Sequence, residues 1–344
     1  MPNTSEKWLE ENKKCLNYYD HKKFKVIKKL GEGSFGTVHQ YFWIENDFMV
    51  ALKSSKFDTI PKFISETRIL LKVNGHPNII KFYGVTKDLK CIILQFAEHG
   101  NLREYLRKSL NLGWESKLRI AKEIAQGLLF LHNNDIIHRD LHSKNILVHN
   151  NGHIMISDFG LSHYVTEEPA VPMTSSECFG IVAFTDPQCF TSHKSSKKSD
   201  IYSLGVVLWE VSSGEIPFSN MEHYYIVNQT YLGFREKPVK GTPEKYIHLY
   251  EKCWDSDQNK RPESQLVLKK LKKLINFYFN DEVKIFENEL YLTQEGISVE
   301  RCEIEWRRHD DQIENSDEQY NIGISYQFGI ERIKDERKAF KCPK

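Results

Sequence analysis

No C-x-x-C pair occurs in the chain. The seven cysteines, at 15, 91, 178, 189, 253, 302 and 342, are odd in number and scattered. The sequence therefore supports neither a disulfide framework nor a zinc module, and the cysteines read as reduced intracellular thiols. A bias toward charge of one sign is also missing. Forty-eight Lys and Arg against 47 Asp and Glu leave a net charge of +1, which argues against wholesale electrostatic binding of nucleic acid or of a membrane surface. Long apolar runs are missing too. The longest, around Leu204 to Val211, is interrupted by Glu210 and is too short to span a bilayer. The opening stretch MPNTSEKWLEENKK has no apolar core of the signal-peptide kind. These absences give the expectation of a soluble, cytoplasmic chain with no membrane span and no nucleic-acid partner.

What is present is an ordinary globular mix over 344 residues, 40% apolar and 28% charged, long enough for about two domains. Residues 6–20 suggest a short amphipathic helix with Trp8, Leu9, Leu16 and Tyr19 as packing positions. Strand-like runs follow at 24–30, 37–44 and 49–55, separated by turn chemistry at Gly31–Gly36 and at Asn46-Asp47. A helical period covers 61–73, with Phe63, Ile64, Leu70 and Leu71 on one face, and two more strands are expected at 79–85 and 90–96. From 101 onward the period is mostly helical, over 101–109, 116–132, 199–213, 222–230, 243–253 and 263–278. A β-rich first part and a larger helical second part make an α+β arrangement in two lobes. The stretch 192–199, SHKSSKKS, reads as a solvated loop.

Three motifs carry chemistry. Gly31-Glu32-Gly33-Ser34-Phe35-Gly36 lies between two strands, with Thr37 and Val38 continuing the second. Such a hairpin lets backbone N–H groups approach phosphates, and taken alone it fits an ordinary turn equally well. Lys53 sits in the strand Ala51-Leu52-Lys53, and Glu66, on the next helix, is a carboxylate able to hold it. His138-Arg139-Asp140-Leu141-His142-Ser143-Lys144-Asn145 is followed by Ile146-Leu147-Val148 and then by Asp158-Phe159-Gly160.

Taken together, in this order, these motifs resemble the signature of eukaryotic protein kinases over about residues 23–276. His76-Pro77-Asn78-Ile79, Asp200-Ile201-Tyr202-Ser203-Leu204-Gly205, Cys253-Trp254 and Arg261-Pro262 extend the likeness, which is nearest to the tyrosine-kinase-like group. The resemblance implies a two-lobed kinase fold, with an N-lobe over 23–97 and a C-lobe over 98–276 after an N-terminal extension at 1–22. It implies ATP and Mg²⁺ as cofactors, and phosphoryl transfer by positioning and charge stabilisation. Gly31, Gly33 and Gly36 would cover the phosphates. Lys53 would hold the α- and β-phosphates and pair with Glu66. Asp140 would accept the substrate hydroxyl proton, Lys144 would face the transferring phosphate, and Asn145 and Asp158 would bind the metal. Leu30, Val38, Ala51 and Leu147 would sandwich the adenine, with Leu94 guarding the back pocket and Gln95 to Ala97 as the hinge.

The chain departs from the family at several points. Asp186-Pro187-Gln188 stands where Ala-Pro-Glu is usual, which gives the expectation that Gln188 hydrogen-bonds Arg261 in place of the family's ion pair. Ile181 replaces a threonine usual in serine/threonine kinases, and His142 replaces a lysine, while Lys144 is similar in position to an arginine of many tyrosine kinases. The group resemblance implies a protein substrate phosphorylated on Ser or Thr. The alternatives are tyrosine or dual specificity, or a pseudokinase scaffold. Thr174, Ser175 and Ser176, with Tyr164 and Thr166 nearer the DFG, offer hydroxyls for an upstream kinase or for autophosphorylation, with Arg139 as the phosphate's partner.

Beyond the kinase-like region, 277–316 reads as a charged linker. Residues 317–342 resemble a single incomplete Sel1-like repeat, from Tyr320-Asn321-Ile322-Gly323-Ile324 to Asp335-Glu336-Arg337-Lys338-Ala339. Such a repeat implies a protein partner, although solenoids usually need about three copies.

Overall fold

A computed structural model describes residues 8, 12, 14–33, 36–55, 60–109, 112–166, 181–192 and 194–278. Among the described residues, the first lobe holds a six-stranded sheet and one long α-helix. The strands are β1 (Tyr18–Tyr19), β2 (Phe24–Gly33), β3 (Gly36–Trp43), β4 (Phe48–Ser55), β5 (Phe82–Thr86) and β6 (Cys91–Gln95), in the spatial order β1-β5-β6-β4-β3-β2. Helix α1 (Ile60–Val73) lies between β4 and β5 in the chain.

Strand alternation gives this sheet two buried faces. Val50 and Leu52 of β4 join Phe24, Trp43, Cys91 and Ile93 in a small outer cluster. Ala51 points the other way, with Ile92 and Leu94 of β6, into the main core. Because successive side chains alternate, Lys53 falls on the same face as Ala51, toward α1.

The second lobe is helical: α2 (Leu102–Lys108), α3 (Trp114–Asn133), α4 (Pro187–Ser192), α5 (Lys197–Ser213), α6 (His223–Tyr231), α7 (Glu244–Cys253) and α8 (264–278). Two antiparallel pairs complete it, β7 (Ile136–Ile137) with β10 (His163–Tyr164), and the hairpin of β8 (Ile146–His149) with β9 (His153–Ile156). Helix α5 is buried from Ser199 to Ser212, apolar around most of its circumference, the pattern of a helix enclosed by its neighbours. A capping box at Ser196 and Ser199 opens it, and Gly214 at φ 72° closes it.

The expected helices are found with boundary shifts of one or two residues, and the structure is the two-lobed α+β arrangement expected. Three local expectations fail. Residues 192–199, expected as a solvated loop, place Ser192 at the end of α4 and Lys197 to Ser199 in the first turn of α5, where Ser199 is buried by its part in the capping box. Tyr18–Tyr19, expected within a helix, is instead a strand pairing in parallel with Val85 and Thr86. Asn17 O accepts from Val85 N at 2.9 Å, and Tyr19 O from Lys87 N at 2.9 Å. Gly84 makes room for this seat, because a Cβ there would lie 2.4 Å from Asn17 O. The strand expected at 79–85 starts only at Phe82, because Ile79 bridges to Ile156 and Ile80 N donates to Ile156 O, tying this segment to the helical lobe.

Candidate active site

The cleft between the lobes collects the motif residues. On α1, Glu66 lies on the same stripe as the buried Phe63, Leu70 and Val73, so it is carried into the interior and is only 7% exposed. There it meets Lys53, itself 8% exposed. Lys53 Nζ donates to Glu66 Oε1 at 2.6 Å and to Asp158 Oδ1 at 2.8 Å. Burial by itself would lower the Lys53 pKa, but the carboxylates of Asp158 and Glu66 outweigh it and drive the pKa up, so the ammonium stays charged.

The second cluster is the loop 138–145. Asn145 Nδ2 donates to Asp140 O at 2.9 Å and to Asp140 Oδ2 at 3.0 Å. His142, buried behind the loop, places Nε2 3.4 Å from Asp140 Oδ1 and accepts Asn145 N–H on Nδ1 at 3.2 Å. Burial works to raise the Asp140 pKa. Hydrogen bonding and charge from His142, with lesser help from His138 and Asn145, prevail and hold the carboxyl below its ordinary value. Asp140 is therefore ionised at neutral pH and able to take a proton. Lys144 projects to solvent.

The loop is held by residues whose part the motif reading did not assign. Asp200, at the start of α5 and buried, accepts His138 N–H at 2.8 Å, Arg139 N–H at 2.9 Å and a contact from His132 Nε2 at 3.0 Å. Burial opposes the charge on Asp200, but the His132 and His138 contacts overcome it and depress its pKa. These bonds fix Arg139 at φ 68°, and Asp158 stands at φ 63°, left-handed conformations that cost free energy in a non-glycine residue. Burial lowers the His138 pKa. Its ring accepts Asp140 N–H on Nδ1 at 3.3 Å and donates from Nε2 to Ser157 O at 3.1 Å, and Phe159 packs 5.4 Å away, centroid to centroid. Asp200 stood in a quoted motif, but its partners lie about sixty residues away in sequence, which no local pattern reveals.

The remaining expected positions fall around the same cleft. Val38 is in register with Lys53, and Ala51 with Leu94. Leu94 and Ala97 are buried, while Gln95, Val38 and Leu147 are half-buried, with Leu147 bridged to Asn101. Leu30 is 41% exposed at the cleft mouth. Gly31 pairs with Val38, and Gly33 with Gly36. A Cβ at Gly31 or Gly33 would meet nothing within 4 Å, so internal packing does not demand glycine there. Ser34, Phe35, Thr174, Ser175, Ser176 and the Sel1-like segment lie outside the described residues.

One expectation is corrected. Gln188 does not bond Arg261; its Nε2 donates to Ser256 O at 2.6 Å. Arg261 instead forks onto Asp186, Nη1 to Oδ2 at 2.6 Å and Nη2 to Oδ1 at 3.0 Å, with both side chains fully buried. The carboxylate missing from Gln188 is supplied two residues earlier in the same triplet, Asp-Pro-Gln. The signal was in the sequence, as an acid at the alanine position of Ala-Pro-Glu.

Comparison with known proteins agrees with this geometry. The family model for protein tyrosine and serine/threonine kinases matches residues 24–271. The serine/threonine-protein kinase VIK of Arabidopsis thaliana is 33% identical over 265 residues, covering 73% of this chain and 60% of that protein. The human tyrosine-protein kinase TXK is 32% identical over 252 residues, 71% of this chain and 46% of TXK. The Caenorhabditis elegans tyrosine protein-kinase src-1 is 32% identical over 246 residues, 68% of this chain and 46% of src-1. The chain thus spans about half the length of these relatives. No described helix is long and apolar enough to cross a membrane. With Lys53, Glu66, Asp140, Asn145 and Asp158 gathered in one cleft and the family match extending over most of the sequence, the chain belongs to the protein tyrosine and serine/threonine kinase family.

Proposed function

We propose that the chain is an active protein kinase that transfers the γ-phosphate of ATP to Ser or Thr hydroxyls of a protein substrate in the cytoplasm, through a kinase domain over 23–276 that is followed by a linker and a Sel1-like partner-binding segment. The observation that carries the reading is Lys53 held between Glu66 and Asp158 in the same cleft as an ionised Asp140.

The residues suit the cofactors. Asn145 turns its amide nitrogen to Asp140, which leaves Oδ1 for a cation, and Asp158 uses Oδ1 for Lys53 and Gly160. These are hard oxygen donors of the kind Mg²⁺ takes when it shares its shell with phosphates. Bound there, the metal would neutralise charge on the transferring phosphoryl group. Lys53 would orient the α- and β-phosphates. Gly31 and Gly33 would let the strand backbone approach the nucleotide, in keeping with the open space around them. Leu30, Val38, Ala51 and Leu147 would enclose the adenine beside Leu94, with Gln95 and Ala97 on its hinge edge. Asp140 would accept the hydroxyl proton, and Lys144, exposed at the cleft, would face the phosphate. Phosphorylation at Thr174, Ser175 or Ser176, with Arg139 as partner, would regulate the site.

Tyrosine specificity is the second reading. It is favoured by the position of Lys144 and by the presence of tyrosine kinases among the relatives. The test is the full chain with Mg-ATP and a mixed peptide library, beside Asp140→Asn. Phosphoserine and phosphothreonine from the parent, and a loss of roughly a hundredfold or more in the variant, are expected. Phosphotyrosine alone would install the second reading, and equal transfer by parent and variant would reject the assignment of Asp140.

A further inference from the structure

Helix α8 buries Ser264, Val267, Leu268, Leu271 and Leu274, and its opposite face carries Lys269, Lys270, Lys272 and Lys273, all exposed. Over 264–278 there is no Asp or Glu, and among the described residues none of these four ammoniums is in an ion pair. Leu266 and Phe277, 43% and 50% exposed, lie among them. The neighbouring helix α7 adds Lys245, whose ammonium sits 4.0 Å from the Phe277 ring centroid, and exposed Lys252, beside the exposed acids Glu244 and Glu251. The result is a basic face with an apolar stripe, and nothing among the described residues covers it.

The chain itself contains a complementary segment. Residues 281–318, outside the described residues, hold thirteen Asp and Glu against four Lys and Arg, a net charge of −9, interspersed with Ile285, Phe286, Leu290, Leu292 and Trp306. This segment begins three residues after α8. Lys269 to Lys273 lie within about 14 Å of the last described residue along the helix axis, so four or five extended residues are enough to return over them. Tethering at that distance gives an effective concentration in the millimolar range, which lets individually weak exposed pairs act together.

We infer that the acidic segment 281–318 docks on the basic face of α8 in its own chain, with Lys269, Lys270, Lys272 and Lys273 as its charge partners and Leu266 and Phe277 as its apolar contacts. The inference does not depend on catalysis.

Lysine acetylation of the full chain, read by mass spectrometry, tests it. At low salt the four α8 lysines should label roughly threefold to tenfold more slowly than exposed Lys25, Lys87 and Lys240. High salt should remove the difference. A variant carrying Gln at Glu287, Glu289, Glu295, Glu300, Glu303 and Glu305 should remove it as well, with an unchanged thermal melt. In the reciprocal variant, K269E with K273E, Lys270 and Lys272 should lose protection. Equal labelling in parent and Gln variant overturns the inference. Protection that grows with protein concentration overturns it in favour of a second copy's segment. Protection that appears only with phosphatidylserine vesicles, equally in parent and Gln variant, overturns it in favour of a lipid surface.

Discussion

Two buried cations are each held by carboxylates, and they differ in how completely their charge is answered. Arg261 meets Asp186 one to one, bidentate and sealed from solvent, with its remaining nitrogen and faces taken by Asp255 O, Lys198 O and the Tyr202 ring. Lys53 stands between two carboxylates, Glu66 and Asp158, and Asp158 keeps part of its surface in the cleft. The first arrangement is neutral and finished. The second sets two carboxylates against one ammonium, with burial raising the Glu66 pKa and Asp158 open to the cleft, and that unequal pairing marks the place where a charged ligand changes the balance. Closed pairing reads as architecture and open pairing as chemistry.

The sharpest way to break this contrast is Arg261→Met. It leaves Asp186 charged and sealed, and a loss of about 3–5 kcal/mol in stability is expected, read by denaturant unfolding. A loss below about 1 kcal/mol would mean that the pair is not structural. Lys53→Met should act in the opposite sense. Phosphotransfer should fall roughly 10²- to 10³-fold, as when one preorganised charge contact is deleted. Stability should fall by less than in the Arg261 variant, because Asp158 is partly exposed to the cleft and burial raises the Glu66 pKa, so that its carboxyl takes up a proton more readily. If Lys53→Met unfolds the chain as readily as Arg261→Met, the distinction collapses.

Asp200→Asn probes a third buried carboxylate, one that answers backbone N–H groups. Weakening three contacts should cost about 1–3 kcal/mol near neutral pH. The native pKa of Asp200 is depressed, so its contribution is complete above the unfolded value, near 3.9, and fades as pH falls through the lower native value. The gap in melting temperature between parent and variant should hold steady from pH 8 to 5 and narrow below about pH 4. A gap that closes between pH 8 and 6 would mean that the Asp200 carboxylate is not what sets the difference. Gly84→Ala should cost about 1–3 kcal/mol, because the new methyl meets Asn17 O and φ at 148° suits glycine. Protection of the Val85 amide from hydrogen exchange should drop with it, and unchanged protection would mean that β1 is not seated by this contact. The smallest effect belongs to Gln188→Glu, within about 0.5 kcal/mol of the parent, since Arg261 already has its carboxylate. A clear rise in the thermal melt would show Arg261 sharing itself with position 188.

The sequence made the helices legible wherever an apolar stripe repeated for two turns or more, as in α3 and α7. It made Lys53 and Glu66 legible because a motif names both. It did not reveal β1, β7 or β10, since a two-residue strand has no period and exists only through its partner. It misassigned the partner of Arg261, because the triplet was matched to a family pattern position by position, while the interaction requires only a carboxylate within reach. Asp186 sits 75 residues from Arg261, and the choice between it and Gln188 was made by packing. The anchoring of the catalytic loop on Asp200 was hidden for the same reason: a motif fixes which residues occur, whereas their bonding partners follow from the topology.

Helix α5 has a consequence for how the molecule is made. Burying almost every residue from Ser199 to Ser212 means that this segment, once synthesised, has no face at home in water until α3 and α7 are both in place. Helix α7 is translated after it, so the nascent chain must carry an adhesive cylinder through about forty further residues of synthesis. Ribosome-stalled chains ending near residue 255, with α5 outside the exit tunnel and α7 still inside it, should therefore recruit chaperones more strongly than chains ending near residue 310. The C-lobe should appear in a single cooperative step, with no stable half-assembled form.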